Sequence, residues 1–151
     1  MNDLTLRPAT SADAPALTEL VNAAYGHYVE RLGGPPRPMT EDYADVVQTH
    51  RVMVAERGGE IVGLIVLALG DIEVTIDNVA VHPAQQRTGV GRALLEHAEA
   101  VARTEGIRRV HLYTHERMTE NLALYERIGY VEYERRRHGQ AVIVHMRKPL
   151  A

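Results

Sequence analysis

Apolar and polar residues alternate over Leu4-Thr5-Leu6-Arg7, the period of a half-buried strand. Beyond Thr10-Ser11-Ala12-Asp13, which supplies an N-cap, the period lengthens. Leu17, Leu20, Val21, Ala24 and Tyr28 recur at helical spacing. Gly33-Gly34-Pro35-Pro36-Arg37-Pro38 breaks that helix, and Thr40, Tyr43 and Val47 mark a second, short one. Too little chain precedes the break to fold alone, so it reads as a loop within a domain and not as a linker. Strands are predicted over 51–56, 61–69 and 72–81, the first two joined by a Gly58-Gly59 hairpin turn. From Gly89 to Thr104, residues Leu94, Leu95, Ala98, Val101 and Ala102 form the apolar stripe of a helix. Glu96, Glu99 and Arg103 lie on its outer side, and Gly106 ends it. A strand over 110–114, a helix over 120–128 closed by Gly129, and a hairpin of 130–137 with 141–146 complete the order. Antiparallel hairpins beside one crossover helix imply an α/β fold, with a mixed, mostly antiparallel central sheet and helices on both faces. Residues 1–151 are expected to form a single domain.

The strand that ends Val79-Ala80-Val81-His82-Pro83 runs through Gln86-Arg87-Thr88-Gly89-Val90-Gly91-Arg92 into the longest helix. Pro83 cannot donate to a ladder, so the strand stops there. Gly89 and Gly91 let the backbone turn sharply and let a bulky anion approach it. The helix start offers unpaired N–H groups and the positive end of its dipole, a corner suited to phosphate. Arg87 and Arg92 can add charge-assisted hydrogen bonds. A Walker loop is excluded because the only lysine is Lys148. A dinucleotide fingerprint fails because Leu94 stands where its third glycine belongs and several residues intervene after Val81. An ordinary strand-loop-helix connection with two glycines is the plain alternative.

Gln86-Arg87-x-Gly89-x-Gly91, after that strand end, resembles the acetyl-coenzyme A loop of the GNAT superfamily of N-acetyltransferases. Asn121-Leu122-Ala123-Leu124-Tyr125-Glu126-Arg127-Ile128-Gly129-Tyr130 is similar to the late Asn, Ala, Tyr and Gly-(Phe/Tyr) segment of that superfamily. The element order matches as well, so the resemblance covers essentially the whole chain. It implies transfer of the acetyl group of acetyl-coenzyme A, used as co-substrate, by direct attack through a tetrahedral intermediate. The implied acceptor is a primary amine of a small molecule, with a protein or peptide amine second. The pyrophosphate would rest on the N–H groups of Arg87, Thr88, Gly89, Val90, Gly91 and Arg92, with Gln86 beside them. The resemblance further implies that strand 72–81 splays from strand 110–114. Backbone groups of Val79, Ala80 and Val81 would then pair with the pantetheine arm, and one N–H there would serve the developing oxyanion.

Composition narrows the classes without changing this picture. Apolar residues make up 45% and charged residues 25%, ordinary for a globular domain. Phe, Trp and Cys are absent, so seven tyrosines supply the ring surface and no disulfide, thiolate site or cysteine nucleophile exists. A net charge of −3 argues against nucleic acid as partner. No apolar run is long enough to span a bilayer, and Met1-Asn2-Asp3 does not begin a secretory signal. A cytoplasmic setting and no membrane partner are therefore expected. The resemblance allows a homodimer without deciding it.

By resemblance, Asn121 contacts the cofactor arm; by position alone it is a polar residue at a helix start. Tyr125 matches the position that protonates the departing thiolate, and a phenol with a pKa near ~10 can donate at neutral pH. Its plain role is packing under the last hairpin. An alkylammonium must lose a proton before it attacks. Glu73, Asp77 and Tyr113 lie on the strands flanking the expected gap. Residues 73, 75, 77, 79 and 81 should share one strand face, which places Glu73 and Asp77 about 13 Å apart. Tyr113 stands where some relatives carry a glutamate and is a poor base. Asp77, directly or through water, is the expected base, and Glu73 a solvated carboxylate. The resemblance implies that the first two helices and the 33–39 loop wall the acceptor side, which makes His27, Tyr28, Met39 and Tyr43 the expected substrate contacts. No metal is expected, since His111 and His115 sit too far apart on a strand to share one. A non-catalytic acyl-coenzyme A sensor that keeps the cleft is the alternative function.

Overall fold

The structure, a computed structural model, describes residues 3–150. Its strands are Thr5–Pro8 (β1), Arg51–Arg57 (β2), Glu60–Leu69 (β3), Val74–Val81 (β4), Arg109–His115 (β5), Val131–His138 (β6) and Ala141–Pro149 (β7). They form one seven-stranded sheet in the order β1-β2-β3-β4-β5-β7-β6. All neighbours are antiparallel except β4 and β5, which Val90–Thr104 (α4) connects as a parallel pair. The remaining helices are Ala14–Tyr25 (α1), Tyr28–Leu32 (α2), Tyr43–Thr49 (α3) and Thr119–Ile128 (α5). The α/β class and the mixed, mostly antiparallel sheet match the reading of the sequence.

Each sheet face buries its own core. On one face, Leu94, Leu95, Ala98 and Ala102 of α4 and Tyr125 of α5 pack on Ile65, Leu67, Val74, Ile76, Val110 and Leu112. On the other, Leu17, Leu20 and Val21 of α1, Tyr28 of α2 and Tyr43 and Val46 of α3 pack on Val52, Val54, Leu64, Val66 and Ala80. The first helical stretch is in two pieces, because Gly26 interrupts it. Glycine is a weak helix former, and the turn there returns Tyr28 to the core. Glu99 is buried and not on the outer side of α4. Lys148 reaches it at 2.8 Å and Arg103 at 3.6 Å, so the carboxylate is paired as a buried charge must be.

Candidate active site

β4 and β5 pair only over Val74↔Val110, Thr75↔His111 and Ile76↔Leu112. Beyond that point they part, while β5 stays on β7 as far as His115 and β4 stays on β3 through Val81. His82 N donates to Val62 O at 2.9 Å. The alternation of an antiparallel ladder then turns the backbone of Asn78 and Ala80 toward β3, and that of Val79 and Val81 into the gap. A cavity of about 650 Å³ occupies the gap. Asp77, Val79 and Tyr113 line it from the parted strands, Asn121 and Tyr125 from α5. The segment 32–38 and the β6–β7 hairpin, through His138, Ile143 and His145, wall its sides.

The α4 start opens beside this gap. Gly89 sits at φ 94° as the N-cap residue, a conformation that costs glycine nothing. No side chain caps the helix, and Ala93 N to Gly89 O at 3.0 Å is its first bond. The amides of Val90, Gly91 and Arg92 are thus left to an external acceptor, which fits a pyrophosphate. Gln86, Arg87, Thr88 and Arg92 are exposed around them, Arg87 with a positive φ of 67°. The Thr88 hydroxyl is engaged by Arg57 at 3.0 Å. Gly63 of β3 lies under the first turn of α4, and any β-carbon there would fall 2.8 Å from Val90 Cγ1.

The opposite side of the cavity holds the ionisable groups. Between β3 and β4 the register passes from Val66↔Asn78 to Leu67↔Ile76, so Asp77 is a bulge residue without a partner. A bulge interrupts the alternation of side chains. The expectation that 73, 75, 77, 79 and 81 share a face is therefore corrected. Val79 and Val81 pack with the α4 core, whereas Asp77 and Asn78 both meet side chains of the other face. Asn78 is held by the Tyr25 hydroxyl at 2.7 Å and by Tyr43 at 3.2 Å, and Tyr43 donates to Pro38 O at 2.6 Å, which ties down the cavity wall. Asp77 accepts from the Tyr113 hydroxyl at 2.8 Å and lies 3.2 Å from His50 Nε2. Arg37 also hydrogen-bonds the Tyr113 oxygen. Sequence reading missed His50 and Arg37 because the bulge that aims Asp77 at them leaves no periodic trace.

Tyr125 is buried, and burial pushes its hydroxyl well above the usual tyrosine value. It stays protonated near neutrality, and its oxygen bonds no other group among the described residues. Asn121, in the first turn of α5, lines the cavity and donates to Met118 Sδ at 3.7 Å. Glu73 precedes β4 and pairs with Arg109 at 3.0 Å, so it is a paired carboxylate. The four expected acceptor-side residues do not border the cavity. Tyr28 turns inward beneath His27, its hydroxyl 3.4 Å from Glu120, while Met39 packs on the helix-side core. Tyr43 borders only a smaller chamber behind Asp77. The prolines of 35–38 fill the place those residues were expected to take. His111 stacks on His145 with ring centroids 5.2 Å apart, and not on His115; burial lowers the pKa of both. Among the described residues no group of three or more His, Cys, Asp or Glu is placed to hold a metal, and no helix is long and apolar enough to cross a membrane.

Residues 15–130 match the sequence model of the acetyltransferase (GNAT) family. The chain belongs to that family. It is an acetyl-coenzyme A-dependent N-acetyltransferase. It is 27% identical over 135 residues to an uncharacterized N-acetyltransferase of Chlorobaculum tepidum, covering 88% of this chain and 79% of that one. Over 66 residues, 44% of this chain and 45% of its relative, it is 39% identical to the ribosomal protein bS18 alanine N-acetyltransferase of Escherichia coli. Among solved structures, the Escherichia coli ribosomal-protein-S18-alanine N-acetyltransferase superposes with a TM-score of 0.79 at 24% identity, over 98% of this chain and 94% of that one. PaiA N-acetyltransferase of Thermoplasma acidophilum, solved with coenzyme A, reaches 0.82 at 16% identity, over 97% and 99%. Both superpositions show that the fold is shared along almost the whole chain.

Proposed function

We propose that this acetyltransferase modifies a primary amine of a small molecule. The observation that carries the reading is the cavity in the β4–β5 gap, flanked on both sides by the 32–38 segment and the β6–β7 hairpin. With the donor arm taking its share of the 650 Å³, the space left between those walls suits a compact acceptor better than a folded surface. The bound donor supplies an activated acetyl carbonyl. The chain's own groups do the rest. The amides of Val90, Gly91 and Arg92 hold its diphosphate, with Gln86, Arg87 and Thr88 around them. The gap-facing backbone of Val79 and Val81 holds its arm beside Asn121. An N–H of that stretch meets the carbonyl oxygen as charge develops there. Asp77 receives the proton that the ammonium group must lose, and Tyr125 donates one to the leaving sulfur.

A protein amine is the second reading, since one relative is named for acetylating a ribosomal protein alanine. Thiol release with acetyl-coenzyme A and ethanolamine, putrescine, tyramine, lysine or an alanine-starting peptide separates the two. Turnover is expected fastest on a small amine; a peptide that outpaces them all reassigns the acceptor. Absence of thiol release with every amine of a broad panel supports the sensor instead. Asp77→Asn keeps the shape of the side chain and is expected to lower kcat about 10²-fold at neutral pH. Its affinity for acetyl-coenzyme A, read by calorimetry, stays at the wild-type value. Unchanged kcat removes Asp77 from the proton path.

A further inference from the structure

Each oxygen of Asp77 already has a partner within the protein. Tyr113 donates to Oδ1 at 2.8 Å, and His50 Nε2 stands 3.2 Å from Oδ2. The Tyr113 oxygen has two lone pairs beside its O–H bond. Arg37 takes one of them, and the other remains on a residue that lines the cavity. Behind Asp77 lies a second chamber of about 50 Å³, lined by Glu41, Tyr43, His50 and Asn78 as well as Asp77. That volume holds about one or two waters among groups that can bond them.

We propose that Tyr113 carries the acceptor's proton to Asp77, with His50 as the residue that fixes the carboxylate for the transfer. This rests on the acetyl-transfer reading and names how its base reaches the amine. An N–H bond of the ammonium breaks as an O–H bond forms at Tyr113. The original Tyr113 O–H bond breaks as one forms at Asp77 Oδ1. Tyr113 ends neutral, Asp77 ends protonated, the amine is freed, and the proton leaves Asp77 by exchange with water in the chamber behind it. A standing phenolate is not required, which matters because burial, and then the Asp77 charge, push the Tyr113 hydroxyl well above its usual value. His50 holds Oδ2 so that Oδ1 stays turned to Tyr113.

Other charged and titratable groups face this pair from every neighbouring element. They are Tyr25 on α1, Arg37 and Glu41 beside the wall, Tyr43 on α3, His50 between α3 and β2, His111 on β5 and His145 on β7. The test must therefore separate the amine's own ionisation from theirs. Tyr113→Phe and wild type are compared from pH 7 to pH 10 on whichever amine of the panel turns over fastest. At pH 7 the variant is expected about 10²-fold slower. By pH 10, where an alkylamine with pKa near ~10.4 already supplies its free base, the gap is expected to close to about threefold. His50→Gln, which can still donate to Oδ2, is expected to keep more activity than His50→Leu. A Tyr113→Phe rate within about twofold of wild type at pH 7 overturns the carrier, since general acid–base groups contribute far more. So does a deficit that stays constant with pH, which marks a structural role. A wild type inactive on every amine overturns the transfer reading and the carrier together, whereas an active wild type with an unimpaired Tyr113→Phe overturns the carrier alone.

Discussion

Replacing Tyr125 with phenylalanine is expected to lower kcat about 10³-fold while the affinity for acetyl-coenzyme A stays within about twofold. The ring remains, so its edge contact with Tyr130, 6.1 Å between centroids, survives. The hydroxyl bonds no other described residue, so its removal leaves no buried partner unsatisfied and the fold has no reason to weaken. What disappears is the acidic O–H that α5 presents to the cavity. A thiolate expelled without a proton is a poorer leaving group, and the loss falls on the chemical step. The direction of the pKa shift adds a second signature. Because burial raises it, the hydroxyl stays protonated well above neutral pH, and ionisation of Tyr125 does not limit the wild-type rate at pH 9. Thiol-release kinetics and titration calorimetry on both proteins check the split. A variant as fast as wild type removes Tyr125 from the mechanism, and one that no longer binds the donor makes it a binding residue.

The parts of this molecule that were legible in the sequence are those encoded by period and by single residues with strong backbone preferences. The α4 stripe, the Gly58-Gly59 hairpin and the Gly89 corner are of that kind, and each lies where the pattern put it. The acceptor side was not legible in the same way. One extra residue in β4 turns Asp77 away from the valines it was expected to accompany, and nothing in the alternation of Val74 to Val81 announces it. Resemblance assigned Tyr28 to the acceptor side, whereas its place on the apolar stripe takes it into the core, and the prolines of the loop after it line the cavity. Glu99 shows the limit of reading charge as exposure. A partner 49 residues away, Lys148, makes burial tolerable, and only the folded sheet brings the two together.

These failures share a physical cause. Donor binding depends on the backbone of one corner, whose geometry is local and set by glycine. Acceptor chemistry depends on side chains from the end of α3, β4, β5 and the 32–38 segment, whose meeting depends on register and packing. Local sequence fixes the first kind of site and leaves the second to tertiary structure.

The corner itself depends on a position outside it, which gives the second large prediction. Gly63→Val is expected to weaken donor binding at least tenfold and to destabilise the fold by about 1–3 kcal/mol, as overpacking does. A β-carbon at 63 would stand 2.8 Å from Val90 Cγ1, 3.0 Å from Leu94 Cδ1 and 3.3 Å from the Ala80 carbonyl. Val90 and Leu94 are both fully buried at 0% exposure, so neither side chain has space to retreat into. Relief comes by lifting the first turn of α4 off the sheet. That turn carries the Val90, Gly91 and Arg92 amides, and a shift of an ångström spoils their convergence on one diphosphate. Leu67→Ala serves as the control. It opens a cavity in the same core and costs about 2–5 kcal/mol, yet leaves the helix start in place. If loss of donor affinity merely followed loss of stability, Leu67→Ala would bind worst. Thermal melts and calorimetry on the two variants are expected to rank them in opposite orders, and a Gly63→Val protein that binds coenzyme A as wild type does would show that the amides of α4 are not what holds it.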